Sequence, residues 1–187
     1  MNSFYSEDEL KKIGFRSYGK DVYISRKCSI YGAEKIEIGN HVRIDDFCIL
    51  SGRISLGDYI HIAAYTALYG GESGIIIEDY ANISSRVSVY SISDDYSGTS
   101  MTNPMIPDKY KRFVSKQVKI GKHTIIGASS VIMPGVELAE GGAFGAFSFV
   151  NRNTESWSVY VGIPSKKIKN RRKDLLELEE QFQKEVQ

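Results

Sequence analysis

The sequence predicts an all-β solenoid, a parallel β-helix whose chain turns a corner every six residues. Aliphatic residues recur at every sixth position from Ile38 to Leu68, shift phase across Gly70–Gly74, and recur again over Ile77–Val89 and Ile120–Val150. The position four residues after each aliphatic is mostly small or β-branched, as a second inward site in a narrow prism requires. A period of six fits neither a helix face nor strand alternation, whereas three sides of six residues close a triangle.

Composition narrows the class of protein. The chain has 187 residues, a net charge of +1 and 42% hydrophobic residues, which is typical of one globular domain and excludes disorder over most of its length. We expect no nucleic-acid partner, because that needs a concentrated basic excess. No apolar run is long enough for a membrane span, and the polar N-terminus predicts a cytoplasmic protein. Cys28 and Cys48 are expected to be reduced thiols without chemistry.

The remaining elements follow in chain order. Residues 1–21 are predicted to form an N-terminal cap, because Ser6 and Glu9 make a capping box and Gly14 ends a short helix. The β-helix is predicted over 22–169, broken once by an excursion loop over 94–117. Residues 170–187 carry a C-terminal helix from about Arg172, whose apolar face would pack on its own subunit or on a neighbour.

This pattern resembles the hexapeptide-repeat acyltransferase family, in particular its sugar acetyltransferase branch, over about residues 22–169. The resemblance implies a left-handed β-helix, although the general rule for parallel crossovers favours the right hand. It also implies a homotrimer with each active site in the groove between two subunits. The expected small-molecule substrates are a sugar acceptor and acetyl-CoA.

The excursion loop carries the predicted catalytic residue. In the branch that acetylates sugar hydroxyls, a general-base histidine follows a segment like 87–93, and here Asp94 and Asp95 match that position. A carboxylate with a pKa of about 4 is a weaker base than imidazole, which puts O-acetylation in doubt. An amino sugar is a better nucleophile, so a carboxylate suffices for N-acetylation. We therefore predict N-acetylation of a nucleotide-linked amino sugar for a surface polysaccharide, with Asp94 as the base.

The acceptor pocket differs from that of the resembled branch. Tyr65 stands where the branch has an acceptor-binding asparagine, and Ile125 where it has a tryptophan. Tyrosine rings near this position, including Tyr69, could stack on a sugar or nucleotide ring, although most of the tyrosines are expected to fill corners. The candidate acceptor-binding residues are Tyr65, Asn82, Tyr90, Asp95 and Tyr96.

The three histidines are His41, His61 and His123. His41 and His123 stand in Gly-x-His corners and are expected to be solvated turn residues. His61 precedes a repeat aliphatic and points outward from a flat face, which makes it a second candidate base. No metal site is predicted, because the set lacks the close pair with which a γ-type carbonic anhydrase holds zinc.

The coils after the loop carry the predicted coenzyme A site. Segments 125–136 and 144–153 resemble family segments that contact coenzyme A, and segment 161–173 resembles the family's closing Gly-x-Pro turn, where cations meet the coenzyme phosphates. Taken singly, the glycines and alanines there also suit a tight corner. The candidate coenzyme-binding residues are Gly127, Ala128, Ser129, Ala146, Asn151, Arg152, Lys166 and Lys169.

Two alternatives remain open from the sequence. One is an O-acetyltransferase for a sugar or xenobiotic hydroxyl, with His61 as the base. The other is a non-catalytic β-helix scaffold, which would explain the repeat but neither the placement of the long loop nor the basic exit.

Overall fold

The computed structural model describes residues 3–186, so residues 1, 2 and 187, the outer ends of the predicted cap and tail, lie outside the described part. The chain forms a parallel β-helix of about seven turns, and each regular turn contains three short strands. The predicted all-β solenoid is confirmed.

The strands stack into three flat faces, named A, B and C. Face A contains Tyr23–Ile24 (β2), Arg43–Ile44 (β5), His61–Ile62 (β7), Asn82–Ile83 (β9), Ile125–Ile126 (β14), Ala143–Phe144 (β17), Ser158–Val161 (β19) and the antiparallel Lys166–Asn170 (β20). Face B contains Ser29–Tyr31 (β3), the first parts of Ile49–Leu56 (β6) and Ala67–Ile77 (β8), then Ser88–Tyr90 (β10), Val131–Ile132 (β15) and Phe149–Val150 (β18). Face C contains Ser17–Tyr18 (β1), Ile36–Ile38 (β4), the second parts of β6 and β8, Val118–Ile120 (β13) and Glu137–Leu138 (β16).

The interior of the prism is the stack of repeat aliphatics. Ile44, Ile62 and Ile126 stack on face A with no exposed surface, and Leu50 and Leu68 do the same on face B. Each such side chain contributes about 2 to 3 kcal/mol through burial. The six-residue period thus places one large side chain inside on every side of every regular turn.

The corners of the prism use the left-handed backbone conformation at a fixed place in the repeat. The left-handed backbone conformation falls three residues after the aliphatic, at His41, Phe47 and Tyr59, with φ between 56° and 61°. The glycine directly after the aliphatic is needed for a different reason. A Cβ on Gly39 would stand 2.4 Å from the Gly57 carbonyl oxygen. Glycine is therefore required there by the closeness of the next turn.

One corner carries a ladder of stacked rings. The ring centroids are 4.5 Å apart for His41 and Tyr59, 5.2 Å for Tyr59 and Tyr80, and 5.1 Å for Tyr80 and His123. The prediction that His123 is a solvated turn residue is wrong. His123 is only 8% exposed, because the C-terminal helix covers this corner.

A helix lies at each end of the chain. Glu7–Ile13 (α1) begins at the predicted capping box of Ser6 and Glu9 and ends at Gly14 in the left-handed conformation. Leu175–Val186 (α2) begins three residues after Arg172 and packs Phe182 edge-on against Tyr59 at 5.2 Å. Over residues 3–186, neither helix has the length and apolar character that crossing a membrane requires.

The excursion loop leaves and returns through a small sheet of its own. Ile92–Asp94 (β11) pairs antiparallel with Phe113–Ser115 (β12), and Met101 bridges to Lys111 further out. Because both ends of the loop are held on the turn that contains β10, the loop projects beside face B.

Candidate active site

An open cavity of about 1030 Å³ lies on face B beside the excursion loop. Its walls combine aromatic rings of the flat face with side chains of the loop. The lining includes Tyr69, Tyr90, Asp94, Tyr96, Phe113 and Met133. A mostly apolar cavity with a few polar groups is the usual form of a small-molecule site.

Asp94 supplies a carboxylate to this cavity. It is the last residue of β11, partly buried and paired through its backbone with Phe113. No hydrogen bond or ion pair from residues 3–186 engages its side chain, so both carboxylate oxygens are available to a ligand. A carboxylate in this state can bind an ammonium group and accept its proton.

Asp95 has a different task. Its carboxylate accepts hydrogen bonds from the Ser97 backbone N–H at 2.8 Å, the Thr99 hydroxyl at 2.8 Å and the Ser100 hydroxyl at 3.0 Å. The bonds from Ser97, followed by the one from Thr99, hold the pKa of Asp95 far below its usual range. These contacts make Asp95 the residue that orders the loop after Asp94.

The tyrosines named as acceptor candidates divide into two groups. Tyr69 and Tyr90 stack on adjacent turns with ring centroids 5.0 Å apart, and burial raises the pKa of Tyr69. Tyr96 stands on the loop and is 90% exposed at the rim of the cavity. Tyr65 is elsewhere, at the corner between faces A and B, stacked on Phe47 at 4.9 Å.

The second candidate base lies on face A. His61 Nε2 is 2.8 Å from Asp45 Oδ2, and Arg43 Nε donates to the other oxygen of Asp45 at 2.7 Å. Burial alone would raise the pKa of Asp45, but these two hydrogen bonds lower it. Asn82 is the neighbour of His61 on the next turn and is exposed. A single chain therefore does not bring His61 or Asn82 to Asp94, since a corner separates the two faces.

Four coenzyme candidates cluster at the corner between faces A and B. Gly127, Ala128 and Ser129 occupy it on one turn, and Ala146 lies on the next turn. A Cβ on Gly127 would stand 2.4 Å from the Ala146 backbone nitrogen. All four side chains are small, and the stacking of turns already demands glycine at position 127.

The four polar coenzyme candidates lie at the C-terminal end of the prism. Asn151 and Arg152 follow β18, and Lys166 and Lys169 lie on β20; all are exposed. Within residues 3–186 none of these four side chains has a hydrogen-bond or ion-pair partner. They do not form one cluster within a single chain, because β18 and β20 are on different faces.

Two neighbouring cationic side chains already have partners within the chain. Lys167 pairs with Glu155 at 2.7 Å, and Arg171 donates to the carbonyl oxygens of His123 at 2.8 Å and Gly141 at 3.1 Å. Desolvation lowers the pKa of Arg171, which is consistent with a structural role. Lys166 and Lys169, like Arg152, have no such partner within residues 3–186, so their charges are free to meet phosphate groups.

Sequence reasoning did not single out Phe113 and Met133, which also line the cavity. Met133 could have been found from the strand register, because it comes directly after Ile132, whose partner Val89 precedes Tyr90. No spacing rule points to Phe113, since it lies in the loop. Over residues 3–186, no group of three His, Cys, Asp or Glu side chains is arranged to hold a metal ion.

Comparison with known proteins identifies the family, although no family model matches the chain. The chain is 51% identical over 183 residues to the dTDP-4-amino-4,6-dideoxy-D-glucose acyltransferase of Escherichia coli, covering 96% of this chain and 95% of that protein. It is 56% identical to AntD, an N-acyltransferase from Bacillus cereus, solved as its D94A mutant with dTDP and coenzyme A. That structure superposes with a TM-score of 0.97 and covers 99% of this chain and 100% of its own.

A more distant structure shares the fold alone. The acetyltransferase domain of PglB from Neisseria gonorrhoeae FA1090 matches with a TM-score of 0.60 at 13% identity, over 79% of this chain and 57% of that one. The left hand of the β-helix and the acyltransferase activity expected from the sequence are confirmed by the closer relatives. The chain thus belongs to the family of left-handed β-helix sugar N-acyltransferases, enzymes that take their acyl group from a coenzyme A thioester.

Proposed function

We propose that this protein transfers an acetyl group from acetyl-CoA to the 4-amino group of a dTDP-linked 4-amino-4,6-dideoxyhexose. The observation that carries the proposal is the unengaged carboxylate of Asp94 in an aromatic cavity. The E. coli relative is named for this amino sugar, and one AntD structure holds dTDP-4-amino-4,6-dideoxyglucose with coenzyme A.

In the proposed reaction, the neutral amine attacks the thioester carbonyl carbon. The C–N bond forms, the C–S bond breaks, and coenzyme A leaves as a thiolate that ends as the thiol. Asp94 binds the incoming ammonium group and accepts its proton, while the protein holds amine and thioester in line. AntD has been solved with substitutions of Asp94 and of Ser84, and this chain has the same residues at the same numbers. These two positions are therefore the first to test in this chain.

The base assignment is tested by thiol release from acetyl-CoA with two acceptors, the 4-amino sugar nucleotide and its 4-hydroxy analogue. We expect turnover with the amine alone and a fall in kcat of about 10²- to 10⁴-fold in Asp94→Asn. His61→Ala is the matched variant on face A and should retain most of the activity. If His61→Ala loses activity and Asp94→Asn does not, the roles are reversed. Turnover of the hydroxyl analogue would favour O-acetylation.

The identity of the acyl donor must be tested separately, because AntD has also been solved with dTDP and 3-hydroxybutyryl-CoA. We propose acetyl as the native group, as the sequence resemblance implies. Competition between acetyl-CoA and 3-hydroxybutyryl-CoA at equal concentration, read by mass spectrometry of the product, ranks the two. A preference for the longer chain would replace acetyl in the proposal.

We also propose a homotrimer whose site is shared between neighbours. Asp94 lies beside face B, whereas His61 lies on face A and Ser84 follows β9 at the corner between the two faces of the same chain. In a cyclic trimer, face A of one chain meets face B of the next through a heterologous contact, which brings the two sets together. The same contact would bring Lys166 and Lys169 of one chain close to Asn151 and Arg152 of the next.

Mixing two inactive variants tests the shared site. Asp94→Asn removes the carboxylate from one side, and Ser84→Phe blocks the other. In randomly mixed trimers about a quarter of the sites combine two intact halves, so about a quarter of wild-type activity should return. No recovery from mixed trimers, or a monomer by light scattering, would overturn the shared site.

Both proposed substrates carry phosphate charges that do not cross a membrane unaided. We therefore propose that the enzyme works in the cytoplasm, where it supplies an acylated sugar for a surface polysaccharide such as lipopolysaccharide. A deletion strain should lack the N-acylated sugar in its surface polysaccharide and accumulate the free amino sugar nucleotide.

A further inference from the structure

One column of outward side chains on face B has a gap in an otherwise continuous row of tyrosines. Strand register places Tyr31, Ser51, Tyr69 and Tyr90 at the same position on four successive turns. Tyr69 and Tyr90 stack with centroids 5.0 Å apart. Ser51 interrupts the row, so Tyr31 and Tyr69 face one another across an empty position two turns apart.

The spacing of stacked rings elsewhere in this protein gives the width of the gap. Rings on adjacent turns have centroid separations between 4.5 Å for His41 and Tyr59 and 5.3 Å for Phe144 and Tyr160. Two turns therefore separate Tyr31 from Tyr69 by about 10 Å, twice the strand spacing. One flat ring above Ser51 would lie at ordinary stacking distance from both tyrosines.

Within residues 3–186, no other ring or polar group engages Tyr31 or Ser51 in the gap. Tyr31 is 60% exposed, and no ring within residues 3–186 stacks on it. The Ser51 hydroxyl at the floor has no hydrogen-bond partner among the same residues. A hydroxyl between two aromatic faces suits a ring that has hydrogen-bonding groups on its edge, as a pyrimidine base does.

The gap also lies at a suitable distance from Asp94. Asp94 follows Tyr90 by four residues and shares the cavity with Tyr90 and Tyr69. The gap is two turns above Tyr90, about 10 Å along the prism. In a nucleotide sugar, the hexose ring, the flexible diphosphate and the pentose separate the reacting amine from the base, and this chain is long enough to span that distance. We infer that the gap between Tyr31 and Tyr69 binds the pyrimidine ring of the nucleotide sugar, a role that rests on the proposed function.

Filling the gap with the protein's own ring is the sharpest test. Ser51→Tyr would complete the ladder and exclude a guest ring. It should raise the Kd for dTDP, measured by calorimetry, and the KM for the amino sugar nucleotide by tenfold or more, with the Kd for coenzyme A unchanged. Ser55→Tyr is the matched control, because it adds the same side chain to the same strand on face C. Tyr31→Ala removes one stacking wall and should raise the Kd for dTDP about tenfold.

The outcomes separate this inference from the proposed function. If the wild type does not acylate the amino sugar nucleotide, the proposed function fails. If the wild type is active but Ser51→Tyr and Tyr31→Ala both leave the Kd for dTDP unchanged, only the base site is overturned. If Ser51→Tyr weakens the trimer by light scattering while Ser55→Tyr does not, the gap holds a side chain of a neighbouring copy and the base site is overturned as well.

Discussion

His123 Nε2 lies 2.7 Å from Glu179 Oε2 and joins the aromatic ladder of the β-helix to the C-terminal helix. Both side chains are less than 10% exposed, and Lys122 Nζ reaches the other oxygen of Glu179 at 2.6 Å. A partly desolvated carboxylate with two such partners is stabilising only while it is ionised. The position of α2 beside face A therefore depends on this charge.

Glu179→Gln should weaken the docking of α2 at neutral pH. Burial alone would raise the pKa of Glu179, but the hydrogen bonds from Lys122 and then His123 lower it. A lowered carboxyl pKa contributes stability that is complete above the ordinary value of 4.5 and is lost as the pH falls through the lowered one. We expect the variant to lose about 2 kcal/mol of unfolding free energy at pH 7.

The same measurement at low pH tests whether the contribution of Glu179 to stability is lost as the pH falls. Denaturant unfolding of wild type and Glu179→Gln should converge as the pH falls through the lowered pKa of Glu179, because the wild-type carboxylate is then protonated too. Glu180→Gln is the control, because it makes the same charge change on an exposed position of the same helix. Equal losses for both variants at pH 7 would show that general charge on α2, and not the contact with His123, is responsible.

Gly127→Ala should destabilise the fold, besides any effect on coenzyme A. Its Cβ would stand 2.4 Å from the Ala146 backbone nitrogen, which cannot move without shifting a turn. We expect a loss of about 1 to 3 kcal/mol, seen as a lower Tm. Gly145→Ala is the comparison, since its closest contact is a Val161 methyl at 2.8 Å, which can rotate away. An unchanged Tm with a raised KM for acetyl-CoA would assign Gly127 to the coenzyme alone.

The six-residue spacing predicted the interior because the backbone turns a corner every six residues. Each repeat aliphatic therefore points inward, independently of the residues on the outer surface. Asp94 could be placed for a similar reason, since a long break in a regular solenoid marks its loop. Contacts such as the one from His123 to Glu179 were beyond prediction, because 56 residues separate them and the helix that carries Glu179 docks by its own packing.

The tyrosine column shows a further limit. Ser51 and Tyr69 are 18 residues apart, whereas the next partner, Tyr90, follows Tyr69 by 21, because β8 inserts three residues at its glycine-rich bend. Tyr31 and Ser51 are also 20 residues apart, so a count in steps of 18 loses the column at two of its three steps. The phase shift across residues 70–74 recovers the later step from the sequence, whereas the earlier step needs the strand register.

Asp95→Ala should loosen the excursion loop while leaving Asp94 in place. The carboxylate organises 97–100 through three hydrogen bonds. We expect faster hydrogen exchange over 95–101 and a raised KM for the amino sugar, with a smaller change in kcat than in Asp94→Asn. Asp108→Ala removes another loop carboxylate, which pairs only with Lys111 over residues 3–186, and serves as the control. If both variants behave alike, Asp95 has no special place in ordering the site.

Lys166→Ala and Lys169→Ala should weaken acetyl-CoA binding through its phosphate groups. Both lysines are exposed on β20 and lack an acidic partner within residues 3–186, unlike Lys167, which is held by Glu155. A charge-assisted contact to phosphate corresponds to about a tenfold rise in the KM for acetyl-CoA, and the effect should shrink as salt is added. The decisive substrate is acetyl-pantetheine, which carries no phosphate. Its KM should be the same in wild type and both variants, and Lys167→Ala should leave both substrates unaffected. A rise in the KM for acetyl-pantetheine would mean that these lysines shape the groove, because no phosphate is present to bind them.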